Sequence, residues 1–129
     1  MGALSHSIFS NIPEKDYLSL FDKGEARASK VIEFVEFRKD YVAKAVGVPP
    51  SSIRYDERMP QILKDRLREW ANLFNLVAQV FEGDAIKTAL WFKTTNPMLG
   101  NITPRDMIRY GRYQKLLKFI INAFSENQH

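Results

Sequence analysis

The sequence predicts a compact all-α protein. Three observations support this fold class. No stretch alternates apolar and polar residues as a half-buried strand does, apolar residues recur three or four positions apart, and single Pro and Gly residues separate these stretches. Hydrophobic residues form 45% of the chain and charged residues 26%, as in a globular protein rather than a disordered one. We therefore expect about seven helices and no sheet.

The first 36 residues are expected to form a helical extension. Pro13, near a first helical position, and two acids in the following turn favour a helix that ends near Gly24. A second helix is predicted over 25–37 and a third over 38–46, because apolar residues follow helical spacing in both. A short turn of helix is expected next, at 52–55, after a stretch that holds one Gly and two Pro residues.

The longest helix should begin at Pro60 and end near Glu82, where Gly83 stops it. The second half of this helix is apolar on almost every side. Such a helix lies either at the centre of a core or in a dimer interface. Because the apolar excess over 62–81 is larger than one small core needs, we expect a homodimer that buries part of the helix.

Caps and turn-forming residues define the remaining elements. Asp84 is a good N-cap for a helix over 85–92, and residues 94–101 are dense in turn formers. Thr103, which is followed by a Pro, should cap a short helix. A last helix is predicted over 112–124, and the chain thus consists of helices joined by short turns.

The predicted helices group into three units with different charge. These are a helical extension at 1–36, a helix-turn-helix-like unit at 37–59 and a second helical unit at 60–129. The extension has four Lys/Arg against six acids, whereas the rest has fifteen against nine, within a formal net charge of +4. A basic body suggests nucleic acid or an acidic protein surface as partner, and a solvated Lys/Arg-rich surface is the alternative.

The residue types that most enzymes need are scarce. The chain has no Cys and two His, His6 and His129. It therefore lacks most of the residues that a thiol nucleophile, a catalytic triad or a zinc site requires. No Gly-rich phosphate loop is present, and the adjacent acids Asp56 and Glu57 would point in different directions on a helix. We therefore predict a protein that is not an enzyme, with no catalytic, cofactor-binding or metal-binding residues and no cofactor.

The cellular location of the protein is predicted from three features that its sequence lacks. The sequence has no Cys, no apolar run long enough to span a membrane and no basic, apolar leader at its N-terminus. These absences predict a cytoplasmic protein without membrane contact.

Residues 37–59 have the spacing of a helix-turn-helix. Ala43 is small where two helices would cross, and Gly47 can supply the left-handed turn between them. The second helix would present polar side chains to DNA, with further cations for phosphates. The predicted DNA-contacting residues are Lys44, Ser51, Ser52, Arg54, Tyr55 and Arg58. Pro49 and Pro50 shorten this second helix, so plain helix packing is the alternative interpretation.

A second candidate site follows the helix over 85–92. Its loop combines a rigid Asn-Pro pair, two apolar residues, a Gly and a capped helix start, and loops of this kind can hold a fixed surface for a partner. Arginines on the next helices could meet acidic groups of that partner. The predicted partner-binding residues are Asn96, Pro97, Met98, Leu99, Gly100, Arg105, Arg109 and Arg112. The alternative is a loop that only connects two helices.

Spaced motifs in the C-terminal half resemble a known family. They are Phe81-Glu82-Gly83-Asp84, Ala89-Leu90-Trp91-Phe92, Asn96-Pro97-Met98-Leu99-Gly100, Thr103-Pro104, Tyr110-Gly111, and then Leu116, Leu117 and Ile120. In this order they resemble the toxin-binding domain of Xre/MbcA/ParS-like antitoxins, and residues 42–54 resemble the helix-turn-helix that precedes it. The resemblance covers about 37–123, and Asn101 stands where that family usually has a second Gly.

The resemblance implies an antitoxin of a type II toxin–antitoxin pair. Its C-terminal domain would bind and block a RES-type toxin that consumes NAD, and its helix-turn-helix would repress its own operon from promoter DNA, commonly as a homodimer. Two alternatives stay open at this point. One is a stand-alone helix-turn-helix regulator of transcription, and the other is a helical scaffold or oligomerisation protein that binds no DNA.

Overall fold

The computed structural model describes Pro13 and residues 15–126 of the chain. Six α-helices dominate this part and confirm the all-α class. The helices are α1 (Ala28–Val35), α2 (Lys39–Val46), α3 (Gln61–Val80), α4 (Ala85–Lys93), α5 (Pro104–Arg109) and α6 (Tyr113–Glu126). Single turns of 3-10 helix cover Pro50–Ser52 and Pro97–Leu99, and two short strands, β1 (Phe21–Asp22) and β2 (Glu25–Ala26), pair as an antiparallel hairpin.

The long helix that the sequence predicts after Pro60 is α3, and it lies at the centre of the fold. Helices α1, α2, α4 and α6 and strand β2 all pack against it. Every residue from Leu73 to Gln79 is buried, whereas Ile62 and Val80 are the large apolar residues of α3 that stay exposed. The apolar residues from which we expected a homodimer are therefore buried in the core of a single chain. Their number no longer argues for a dimer.

The helix predicted over 13–24 is wrong for the described residues, which form turns and the hairpin. Asp22 pairs with Glu25, and Lys23 and Gly24 between them have φ values of 52° and 83°. Two successive residues with positive φ make the tight turn that matches the twist of a hairpin, and Gly adopts that conformation readily. The expectation of no sheet is corrected by this hairpin, and the following helix begins later than predicted.

A buried amide of α3, Asn75, holds the segment before the hairpin. Its Oδ1 accepts a hydrogen bond from the backbone N–H of Leu18 (2.9 Å), and its Nδ2 donates to Asp16 Oδ1 (2.9 Å). The Asp16 carboxylate also accepts from the N–H groups of Leu20 and Phe21. A buried amide is costly unless it is hydrogen-bonded, so this network fixes the position of the segment on α3.

Aromatic side chains from different helices meet in the core. Phe34 of α1, Phe74 of α3 and Phe92 of α4 form three ring pairs with centroids 4.8 to 5.9 Å apart. Trp70 of α3 meets Phe37 edge-on at 5.8 Å. The buried cluster has members from each of the three units that the sequence suggests, and these units therefore share one core.

Candidate functional site

The helix-turn-helix-like unit forms its first helix but not a second α-helix. Helix α2 ends at Val46, the following Gly47 has a φ of 86°, and Val42 and Ile53 are buried. The single 3-10 turn at Pro50–Ser52 takes the place of the helix predicted over 52–55, and no other helical segment lies between α2 and α3. A three-residue turn is too short to lie along a major groove as a recognition helix does.

Local sequence explains this short turn. Pro50 takes the first position of the 3-10 turn, and Pro49 precedes it with extended backbone. Asp56 then accepts hydrogen bonds from the backbone N–H of Arg58 (2.9 Å) and from Nη2 of Arg54 (2.7 Å), which stabilises a turn of its own. The hydrogen bond from Arg54 lowers the pKa of the Asp56 carboxyl, and the same bond raises the pKa of Arg54.

The predicted DNA-contacting residues differ in exposure. Lys44, Ser51, Arg54 and Arg58 are exposed, whereas Ser52 and Tyr55 are half-buried. Tyr55 packs against the core, its hydroxyl is buried without a hydrogen-bond partner among the described residues, and burial raises its pKa. The expectation that Tyr55 faces outward is therefore wrong. The backbone is extended at Ile53 rather than helical, which changes the directions in which successive side chains project.

Hydrogen bonds hold the loop after α4 in a closed form. The side chain of Asn96 accepts from the N–H of Met98 (2.9 Å) and thereby caps the 3-10 turn. The N–H of Asn96 donates to the carbonyl of Ile102 (3.0 Å), and the N–H of Asn101 donates to the carbonyl of Asn96 (3.1 Å). Gly100 ends the turn with a φ of 81°, a conformation that suits Gly.

Three large apolar side chains lie open to solvent on α4 and this loop. Met98 is 78% exposed, and Ile86 and Leu90, one turn apart on α4, are 82% and 64% exposed. No other large apolar side chain in the described part of the chain is as exposed as these. Leu99 and Asn96 are half-buried, whereas Pro97 and Gly100 are exposed. We refer to Ile86, Leu90 and Met98 as the apolar surface.

Arg105 has a different role from the predicted one, because it closes the C-terminus of α1 instead of facing a partner. Its Nε donates to the carbonyl of Val35 (2.5 Å) and its Nη2 to the carbonyl of Glu36 (2.8 Å). Glu36 has a left-handed φ of 56°, and its carboxylate pairs with Lys93. The last carbonyls of a helix lack partners within it, so a cation at this end stabilises it.

Arg109, also predicted to bind a partner, lies against α2. Its guanidinium is 4.1 Å from the centre of the Tyr41 ring, and its Nη1 is 3.5 Å from Asp106. Among the three predicted arginines, Arg112 is the one whose side chain is exposed. Sequence spacing alone could not reveal that α5 packs on α2 and draws two of them inward.

Ile86 and Leu90 are the main residues of the site that sequence reasoning missed. In the chain, α4 carries apolar side chains on all sides rather than on one face. The structure buries Thr88 and Phe92 and leaves Ile86 and Leu90 in solvent. The excess of apolar residues on this short helix indicates that some of them are exposed. The sequence alone does not show which of them pack against the core.

Two further findings concern chemistry and membranes. Within Pro13 and residues 15–126, no group of three or more His, Cys, Asp or Glu side chains is placed to hold a metal ion. His6 and His129 lie outside the described residues. No helix of that same part is both long and apolar enough to cross a membrane.

No protein-family model matches the chain, and no curated protein or solved structure matches it either. The resemblance to Xre/MbcA/ParS-like antitoxins rests on the motifs quoted from the sequence.

Proposed function

We propose that this chain is an antitoxin that binds and neutralises a RES-type, NAD-consuming toxin through its apolar surface. The observation that carries the proposal is the exposure of Ile86, Leu90 and Met98 on a capped helix and a hydrogen-bonded loop. Exposed apolar side chains on a fixed backbone are typical of protein-binding sites, because little conformational freedom is lost when a partner covers them.

The charge around the apolar surface indicates the kind of partner. The chain has no acidic residue between Asp84 and Asp106, and Lys87 is exposed next to Ile86. An exposed lysine beside an apolar contact favours an acidic group at the corresponding point of the partner's surface.

The family resemblance supports the same region. The motifs that resemble the antitoxin family run from Phe81 to Ile120, and this stretch contains all of α4 and its loop. An antitoxin acts by covering its target and needs no catalytic group of its own. The proposal also places the protein in the cytoplasm, where a toxin would consume NAD.

Co-expression with the toxin encoded by the adjacent gene tests the proposal. Leu90→Ser combined with Met98→Ser removes two exposed apolar side chains, and loss of a contact that dominates an interface costs about 2 kcal/mol or more in binding. We expect the double variant to stay folded, to lose its complex with the toxin in size-exclusion chromatography, and to fail to protect growth.

Ile62→Ser is the matched control, because Ile62 is an exposed aliphatic residue (44%) on α3 outside the apolar surface. This variant should protect cells as the unchanged chain does. Full protection by a folded Leu90→Ser/Met98→Ser variant would contradict the proposal. So would an adjacent gene product that consumes no NAD, which would favour the regulator or scaffold alternative.

A further inference from the structure

Helices α2 and α5 pack side by side and place three guanidinium groups around one aromatic ring. The ring is Tyr41 of α2, and the guanidinium carbons of Arg38, Arg105 and Arg109 lie 4.5, 5.9 and 4.1 Å from its centre. Arg38 is three residues before Tyr41, and Arg105 and Arg109 are one turn apart on α5. Neither helix alone would create this cluster, which is a product of the fold.

The acids near this cluster are already engaged. Residues 36–44 and 105–112 hold six Lys/Arg and three acids. Each of these acids has a cation partner: Glu36 with Lys93, Asp40 with Arg38 (3.1 Å) and Asp106 with Arg109 (3.5 Å). Lys39, Lys44 and Arg112 are exposed, and none of them has an ion-pair partner among the described residues. The face therefore keeps an excess of positive charge.

The aromatic ring prepares the arginines for an anion. Stacking on Tyr41 fixes the planes of the guanidinium groups, so less side-chain freedom is lost when they bind. Tyr110 is 47% exposed and its ring centre lies 5.0 Å from the Arg109 guanidinium, so a partly exposed aromatic side chain lies beside the cations.

We propose that this basic surface binds the phosphodiester backbone of nucleic acid without reading base sequence. It consists of Arg38 just before α2, Tyr41 and Lys44 on α2, Arg109 at the end of α5, and Tyr110 and Arg112 after α5. Two adjacent rows of cations suit an extended polyanion, whose binding depends on charge and is weakened by salt. This proposal does not depend on toxin capture through Ile86, Leu90 and Met98.

Binding to random-sequence duplex DNA and to single-stranded RNA, each labelled with a fluorophore, tests this inference. Fluorescence anisotropy at several salt concentrations between about 50 and 200 mM should show an affinity that falls steeply with salt. The nucleic acid that binds more tightly, duplex DNA or single-stranded RNA, is the form that the surface prefers. Arg38→Gln combined with Lys44→Gln should weaken binding several-fold and lower the logarithmic salt slope by about two.

Two further variants keep the test sharp. Arg38→Lys with Lys44 unchanged keeps both positive charges and should bind more tightly than Arg38→Gln/Lys44→Gln, because binding to phosphates depends on charge. Lys30→Gln combined with Lys64→Gln removes two exposed cations from α1 and α3, outside the basic surface, and should leave the slope almost unchanged. Circular dichroism confirms that each variant is folded.

Three outcomes would overturn the inference. The first is an absence of salt-dependent binding to either nucleic acid at low salt. The second is an equal loss of affinity in the Lys30→Gln/Lys64→Gln variant. The third is a toxin complex that depends on Arg38 and Lys44 while the chain binds no nucleic acid, which would assign the basic surface to an acidic protein instead.

Discussion

Single side chains join distant parts of this chain. Arg105 of α5 holds the end of α1 by hydrogen bonds to two carbonyls about 70 residues earlier, and Asn75 of α3 holds the segment that contains Leu18. Both side chains are polar, and each makes its hydrogen bonds to residues far away in the sequence rather than to its own helix. Their replacement should therefore affect stability more than their position in the sequence suggests.

We expect Arg105→Ala to lower the free energy of unfolding by about 2 kcal/mol, because it removes two charge-assisted hydrogen bonds to the end of α1. Urea denaturation followed by circular dichroism measures the change. Arg112→Ala is the matched control, since Arg112 is exposed and its loss should change stability by less than about 0.5 kcal/mol. Equal effects of the two substitutions would show that Arg105 does not hold α1.

Asn75→Leu should lower the free energy of unfolding by about 1–3 kcal/mol. The apolar side chain leaves the part-buried N–H of Leu18 without its acceptor and removes one of the donors to the Asp16 carboxylate. Asn72→Leu, at a half-buried position on the same helix, is the comparison. Chemical denaturation of both variants measures the difference, and a milder effect at Asn75 than at Asn72 would contradict the role assigned to the buried amide.

At the scale of elements, caps and breakers were the reliable signals. Asp84 accepts from the N–H of Lys87 (3.0 Å) and Thr103 from that of Asp106 (2.9 Å), so both predicted N-caps are confirmed. The hairpin was missed because acids after a Pro also suit a helix start. In the structure, Asp16 instead accepts hydrogen bonds from the N–H groups of Leu20 and Phe21 and from the side chain of Asn75. Asn75 is distant in the sequence, so local sequence does not reveal this arrangement.

The candidate site was predictable in part. The loop was recognised from its turn formers, since Asn, Pro and Gly dictate local backbone geometry. Exposure of Ile86 and burial of Arg105 depend on how α4 and α5 pack, and helical spacing carries no information about which neighbour covers a face. The length of the turn at Pro50–Ser52 was not predictable for a similar reason. Two prolines indicate that a helix is shortened there, but they do not fix its final length.

Asn96→Ala should loosen the loop and leave the helices intact. The substitution removes the side-chain acceptor of the Met98 N–H, and loss of such a cap costs about 1 kcal/mol. Hydrogen exchange followed by mass spectrometry should show faster exchange in residues 97–101 and unchanged exchange in α3. Faster exchange throughout α3 would mean that the loop supports the core rather than a local surface.

At the scale of the whole molecule, one core spans the chain from Leu20 to Phe124. Such a core predicts a single cooperative unfolding transition. Near-ultraviolet and far-ultraviolet circular dichroism should therefore give the same denaturation midpoint. Two separated midpoints would indicate that the predicted units fold independently.

Removal of residues 1–36 should prevent stable folding, because it deletes α1 and exposes its contacts on α3 and α4. Far-ultraviolet circular dichroism of the shortened chain measures this, with removal of 127–129 as the control. A shortened chain that retains a cooperative transition of normal midpoint would show that α1 is dispensable to the core.

The two tryptophans give the protein two optical signals that report different events. Trp70 is buried against Phe37 in the core, whereas Trp91 is only partly buried and follows Leu90 on α4. A ligand that covers Leu90 and the exposed part of Trp91 would remove water from the Trp91 ring and shift its emission to shorter wavelength, while Trp70 would keep its emission until the chain unfolds. In a Trp70→Phe variant that folds, the remaining fluorescence would follow partner binding in real time without any added dye.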